Sequence, residues 1–217
     1  MLALNFNFAA GVRPTVLALG AHADDIEIGC GGTLLRLAST YPELEVHWVV
    51  LSGSPQRAQE ARDSAESLLE GVANRHIVTE AFRDGFFPYD GGAVKERFER
   101  LKAEVAPDLI LTHRRGDLHQ DHRVVWELTW NTFRDHLILE YEVPKYDGDM
   151  GAPNFFVHLD DATCDRKVSA LMTHFESQLG HRWFTEDLFR SLLRLRGMES
   201  SSPSGKAEAF YSHKAIW

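Results

Sequence analysis

Two short apolar runs separated by one helix-length segment constrain this chain more than any other feature. Thr15 to Leu19 (TVLAL) stops at Gly20, and Val46 to Leu51 (VHWVVL) stops at Ser52 and Gly53. Runs so uniformly apolar and β-branched are the pattern of strands buried on both faces, which arises where helices cover a parallel sheet. Between them Thr33 to Ser39 (TLLRLAS) sets Leu34, Leu35 and Ala38 at helical spacing, after Gly29, Gly31 and Gly32. The unit reads as strand, helix, strand.

The alternation continues along the chain. Gln56 to Leu69 reads as an amphipathic helix with Ala58, Ala61, Ala65, Leu68 and Leu69 inward, and a short strand follows at His76 to Val78. Glu96 to Val105 is a helix closed by Pro107, Leu109 to Thr112 (LILT) a buried strand, and Asp121 to Phe133 a helix. Leu137 to Val143 and Asn154 to Leu159 have strand composition, Asp165 to Gln178 and Glu186 to Arg196 read as helices, and Met198 to Lys206 is a polar, Ser-rich loop. The expected fold is α/β: a Rossmann-like, mostly parallel sheet with helices on both faces. At about 150 residues per domain, residues 1–217 are expected to form a single domain.

Composition excludes several classes of function. Against 23 Lys and Arg stand 32 Asp and Glu, a net charge of −9, so a general nucleic-acid binder is not expected. No apolar run reaches the roughly 20 residues needed to cross a bilayer, and the N-terminus MLALNFNFAAGVRP lacks the marks of a secretory signal, so no membrane partner and a cytoplasmic location are expected. Cys30 and Cys164 match no CxxC pattern and are expected to be reduced thiols.

The first strand runs directly into AHADDIEIGCGG, placing His22, Asp24 and Asp25 just past its carboxyl end. The strand LILT runs into HRRGDLHQDHRVV, placing His113, Asp117, His119, Asp121 and His122 at the same edge, where ligands bind in open α/β sheets. Each cluster alone has an ordinary reading: an Asp pair can cap a helix, and HQDH can be a solvated helix start. Together they point to a metal site. His22 and Asp25 from one loop and His122 from the other make a three-ligand set of the open catalytic type, which leaves a position for water. Of two consecutive acids, one can ligate while the other serves as general base.

VLALGAHADDIEIGCGGTL resembles the first signature of the LmbE-like, or PIG-L, family of zinc-dependent N-deacetylases, AHPDD followed by a Gly-rich turn, and PDLILTHRRGDLHQDHR resembles its second, HPDH after a buried strand. Weaker echoes are RAQEA at Arg57, Asp84 in FRDGFF, Ser177 with Gln178, and AEAF at Ala207 to Phe210. The resemblance implies one zinc, or another divalent transition metal, on His22, Asp25 and His122, with Asp24 as general base. It implies that His119 faces the oxyanion, that Asp121 orients a neighbouring imidazole, and that Arg57 and Asp84 contact the substrate. Ala23 and Gln120 stand where the family has proline, which removes stiffness from both ligand loops.

The expected activity is removal of an N-acetyl group from an amino sugar or N-acetylated glycoside, a small-molecule partner. The sequence is also compatible with a homo-oligomer. A rim of Glu140, Tyr141, Glu142, Tyr146, Asp147 and Asp149 would supply hydrogen bonds and stacking, with Arg57, Arg114 and Arg115 offsetting its charge locally. The alternatives are an amidase of a thiol conjugate or antibiotic intermediate using the same metal site, and a non-catalytic Rossmann-type nucleotide-binding module. His174 and Gln178, one helical turn apart, are expected to share a wet face, and His113 to be a hydrogen-bonded structural histidine.

Overall fold

The computed structural model describes residues 4, 6, 8 and 13–216, so the stretch carrying the leaderless reading of the N-terminus falls largely outside the described residues. The chain alternates β1 (Thr15–Gly20), α1 (Asp25–Thr40), β2 (Glu45–Ser52), α2 (Pro55–Leu68), β3 (Asn74–Phe82), α3 (Gly91–Glu104), β4 (Leu109–His113), α4 (Gln120–Thr132) and β5 (Leu137–Tyr141). It continues with β6 (Phe155–His158), α5 (Asp161–His174), α6 (Glu186–Glu199) and β7 (Ala207–Tyr211). All strands join one sheet in the order β3-β2-β1-β4-β5-β7-β6. The first five pair in parallel, and β7 runs antiparallel to both β5 and β6.

Alternation along the strands divides the core in two. Val16, Ala18, Val46, Trp48 and Val50 face α1, α2, α5 and α6, while Leu17, Leu19, Val49 and Leu51 face α3 and α4. Both faces of the sheet are therefore covered, as the unbroken apolar runs require. β1 pairs with β2 on one side and β4 on the other, and the strand order reverses there. The carboxyl ends of β1 and β4 thus flank the topological switch point, the usual ligand crevice of such sheets.

Several boundaries differ from the sequence expectation. α1 starts at Asp25 and runs through Gly29, Gly31 and Gly32 instead of starting after them. Close packing explains two of these glycines: a methyl group at Gly29 would overlap the Tyr141 ring, and one at Gly32 would overlap Leu159. The Tyr141 hydroxyl then donates to Leu19 O at 2.5 Å, so the helix lies directly on the sheet. β3 is nine residues long where three were expected, because its side chains are only half-buried at the sheet edge and carry no clean alternation. α3 starts at Gly91, and α5 spans Asp161–His174, with Glu176–Gln178 forming a separate 3-10 turn.

β7 was not expected as a strand. Its inward Glu208 breaks the apolar signature, yet the carboxylate is fully engaged. It accepts from Gly32 N at 2.8 Å, from Thr33 N at 2.6 Å and from Lys167 Nζ at 2.5 Å. The Ser-rich loop before β7 is pinned by Ser204 Oγ donating to Leu159 O and Ser202 Oγ donating to Lys206 O. Cys30 and Cys164 are free, buried thiols.

Gly29→Ala should lose about 1–3 kcal/mol by overpacking against Tyr141. Gly31→Ala, whose nearest neighbour is 3.7 Å away, should gain up to about 1 kcal/mol from helix propensity. Urea unfolding of the two variants measures the opposite signs.

Candidate active site

The loop between β1 and α1 carries His22, Asp24 and Asp25, and the loop between β4 and α4 carries Asp117, His119, Asp121 and His122. Three of these converge at atomic range. His22 Nδ1 lies 3.1 Å from His122 Nε2 and 3.5 Å from Asp25 Oδ2, and His122 Nε2 lies 3.4 Å from Asp25 Oδ1. Donors about 2.0–2.1 Å from a tetrahedral ion stand about 3.3 Å apart, near the His22–His122 separation, and Asp25 turns one oxygen toward each imidazole, so the borderline N/O chemistry of this set fits zinc.

Each imidazole is oriented through its other nitrogen. His122 Nδ1 is 2.9 Å from Asp117 Oδ2, whose other oxygen meets Lys145 Nζ at 3.0 Å. His22 Nε2 meets Asp121 Oδ2 at 3.2 Å and Asp84 Oδ1 at 3.1 Å. Asp121 also accepts from Gly85 N and Phe87 N, so it anchors the loop after β3 to His22. The imidazole that Asp121 touches is that of His22. Asp117, given no task from the sequence, holds His122 in the same manner; its spacing five residues before His122 was the available signal. Such outer contacts fix tautomer and ring orientation.

The cluster concentrates buried negative charge. Burial works against a proton on His22, yet its bonds to Asp121, Asp25 and Asp84 outweigh that and hold its pKa well above the usual value. An environment that retains a cation at an imidazole equally favours a metal ion. Asp24 differs from its neighbours: burial raises its pKa, while Arg57 and His22 oppose the shift. It sits at the N-cap of α1 without capping it, so the ordinary reading of the Asp pair does not hold here. Arg57 donates to Asp24 Oδ1 at 2.8 Å, and Asp24 Oδ2 is buried with no hydrogen-bond partner.

His119 does cap α4. Its Nδ1 accepts from Asp121 N at 3.3 Å, which places the proton of the neutral ring on Nε2. Burial and the neighbouring His122 and His22 lower its pKa, keeping the ring neutral. His113 is a packing residue: it accepts from Ala21 N at 3.0 Å and stacks on His122 at 3.8 Å, and burial with His122 lowers its pKa to about 4.

His22, Asp24, Asp25, His119 and His122 line an open cavity of about 290 Å³ together with Arg57, Asp84, Lys145, Tyr146, Asp147, Gln178 and Trp183. Gln178 is thus a wall residue and not part of a wet helical face. Glu60 explains its placement by accepting from Ser177 N and Oγ, which fixes the turn that presents Gln178. The expected rim is smaller than composition suggested. Glu140, Tyr141 and Glu142 are buried, Glu140 under Trp126 and Trp130 and Glu142 against Arg196, and Asp149 pairs with Lys145. Arg114 bonds Tyr211 and Gly116, and Arg115 lies over Trp126, so neither lines the cavity. Gln120, in place of proline, donates to Gly85 O at 2.5 Å and ties the second signature to the Asp84 loop.

The family model for PIG-L, the GlcNAc-PI de-N-acetylases, matches residues 17–133, more than half of the chain and both loops of the site. The uncharacterized deacetylase YaiS of Escherichia coli (strain K12) is 31% identical over 147 residues, covering 63% of this chain and 78% of that protein. Among solved structures, GalB, the 4-carboxy-2-hydroxymuconate hydratase of Pseudomonas putida KT2440, superposes with a TM-score of 0.74 at 16% identity, covering 94% of this chain and 98% of that one. N,N'-diacetylchitobiose deacetylase from Pyrococcus horikoshii gives 0.67 at 20% identity, covering 92% and 83%. At such identities these two structures establish the shared fold. With the family match spanning both signature loops, the chain belongs to the PIG-L family of deacetylases.

Proposed function

We propose that this protein, as one deacetylase domain, is a zinc-dependent hydrolase removing the N-acetyl group of an amino sugar or N-acetylated glycoside. The observation that carries the reading is the triad of His22, Asp25 and His122 with the unpartnered Asp24 Oδ2 beside it, under one open cavity. His22 Nδ1, an Asp25 oxygen and His122 Nε2 would hold the zinc. When bound, zinc polarises an acyl carbonyl and lowers the pKa of water from about 16 to about 7.

The chain's own groups divide the remaining work. Asp24 Oδ2 takes the proton of the attacking water and returns it to the departing amine, while Arg57 holds Oδ1 and lowers the pKa of the carboxyl against the rise that burial causes. His119, with its proton on Nε2, donates to the acyl oxygen as charge builds there. Asp117 and Asp121 keep the two imidazoles in register. Tyr146 and Trp183 offer faces for a sugar ring, and Asp84, Asp147 and Gln178 offer hydrogen-bonding groups for its hydroxyls. The cavity is at the small end of ligand pockets, which run to about 300–1,000 Å³, and suits one sugar unit with the remainder in solvent. A small-molecule substrate accords with a cytoplasmic location, and none of the described helices is long and apolar enough to cross a membrane.

Acetate release from a panel of N-acetylated amino sugars tests the reading, and no release from any of them by the zinc-loaded chain would overturn it. Asp24→Asn should keep its zinc and lose roughly 10²- to 10⁴-fold in kcat, the range of a general base. Asp25→Asn should lose zinc first, as metal analysis of the purified variants would record. For His119→Ala, kcat and kcat/KM should fall together by about 10²- to 10³-fold with zinc content unchanged. A helix cap alone would leave kcat as it was.

The Arg57 pairing sets a pH dependence with a definite sign. The guanidinium lowers the Asp24 pKa against burial, so Arg57→Ala lets that pKa rise and reduces the ionised base at a given pH. The acid limb of kcat/KM should therefore move to higher pH. An unshifted limb in the variant's pH profile would separate Arg57 from the base.

A further inference from the structure

A second set of metal-ligating side chains lies at the opposite edge of the sheet. Glu45 and His47 occupy alternate positions at the start of β2, so they share a face, and His76 of β3 pairs in register with His47. His47 Nε2 lies 3.2 Å and His76 Nε2 lies 3.1 Å from the same Glu45 Oε1, and the two rings stack at 4.4 Å. One donor atom from each residue falls within 4.8 Å of the others. Glu45 Oε2 faces Arg13 at 3.5 Å, which leaves Oε1 to the two histidines. These are the amino ends of β2 and β3, whereas the active site sits at the carboxyl ends of β1 and β4.

We infer that Glu45, His47 and His76 form a second, exchangeable site for a divalent transition-metal ion such as Zn²⁺. Two imidazoles and a carboxylate are a zinc donor set, and imidazole-rich sites also take Cu²⁺ and Ni²⁺. Both Nε2 atoms lie against one carboxylate oxygen; with each ring carrying its proton on Nδ1, the two Nε2 lone pairs and that oxygen would face one ion. The donors are pre-positioned, because the β2–β3 register is fixed by Val46, Trp48 and Val49 in the cores on either side. Little further ordering is needed on binding. The His76 side chain is 52% exposed, so its ring can turn its lone pair toward an ion and water can complete the coordination. Because β3 is the edge strand, the ion would clamp that edge to β2.

Calorimetric titration of the untagged, EDTA-stripped full chain with ZnCl₂ tests this. Wild type should show two binding events, the weaker belonging to Glu45, His47 and His76. His76→Gln and His47→Gln should each lose the weaker event, with affinity down by more than about 100-fold, while keeping the tighter one and full deacetylase activity. His122→Ala should lose the tighter event and keep the weaker. Circular dichroism of each variant confirms the fold, and Co²⁺ titration gives a second, visible-absorption readout at the same site. A His76→Gln chain that titrates as wild type does, or a wild type that binds no Zn²⁺ beyond the His122-dependent ion up to millimolar metal, overturns the inference. A wild type whose only Zn²⁺ event is the one lost in His47→Gln and His76→Gln, with none that depends on His122, would count against the active-site reading and leave this site standing.

Discussion

Buried negative charge at the ends of β1 and β4 is the constraint around which the molecule is arranged. Asp24, Asp25, Asp117 and Asp121 are all nearly excluded from solvent within one small volume. Carboxylates removed from water cost several kcal/mol each unless they are paired or coordinate a cation. The chain answers with two imidazoles on Asp25, Asp117 and Asp121, with Arg57 on Asp24 and with Lys145 on Asp117. Even so, His22 is held so far toward its protonated form that the cluster retains an appetite for positive charge. Among these acids, Asp24 alone keeps an unpartnered oxygen.

That arrangement depends on the fold at two remote points. α1 must lie close enough on the sheet to deliver Asp25, and Gly29 under the Tyr141 ring permits this approach. The loop after β3 must reach across to His22, and Asp121 together with Gln120 tethers it through Gly85. The second tether also accounts for the missing proline. Backbone stiffness that a pyrrolidine ring would give at that position is replaced by a side-chain hydrogen bond to the neighbouring loop.

What could be read in the sequence followed from local signals, and what could not followed from tertiary ones. Apolar runs ending in His and Asp marked β1, β4 and the edge where the site lies, because a run buried on both faces needs no knowledge of its partner. The N-terminus of α1 was misplaced because glycines read as helix breakers; their packing against Tyr141 and Leu159 lies in residues over a hundred positions away. β7 escaped notice because Glu208 occupies an inward position, and its partners Thr33 and Lys167 come from two other elements. Glu140 and Glu142 were taken for cavity rim for the same reason: acidic side chains were read as wet, although Trp126, Trp130 and Arg196 bury them. The convergence of His22, Asp25 and His122 was legible because loop order at the switch point is set by topology, whereas the wall residue Gln178 was not, since Glu60 on another helix presents it.

Fold alone does not choose the reaction, since proteins named as a hydratase and as a deacetylase share this architecture with the chain. Charge on the cavity wall is more discriminating. Of its Arg and Lys side chains, Arg57 bonds Asp24 through Nη2 and Lys145 pairs with Asp117 and Asp149. Asp84 and Asp147 add further negative charge at the mouth. A substrate carrying several carboxylates would meet like charge from these acids, which disfavours it. The sugar proposed above, neutral and hydroxyl-rich, would instead find acceptors for its hydroxyls and the side chains of Tyr146 and Trp183 beside its ring. Arg57 reaches Asp24 through Nη2 alone, so the guanidinium that lowers the Asp24 pKa against burial keeps further donors at the cavity wall for an oxygen of a ligand.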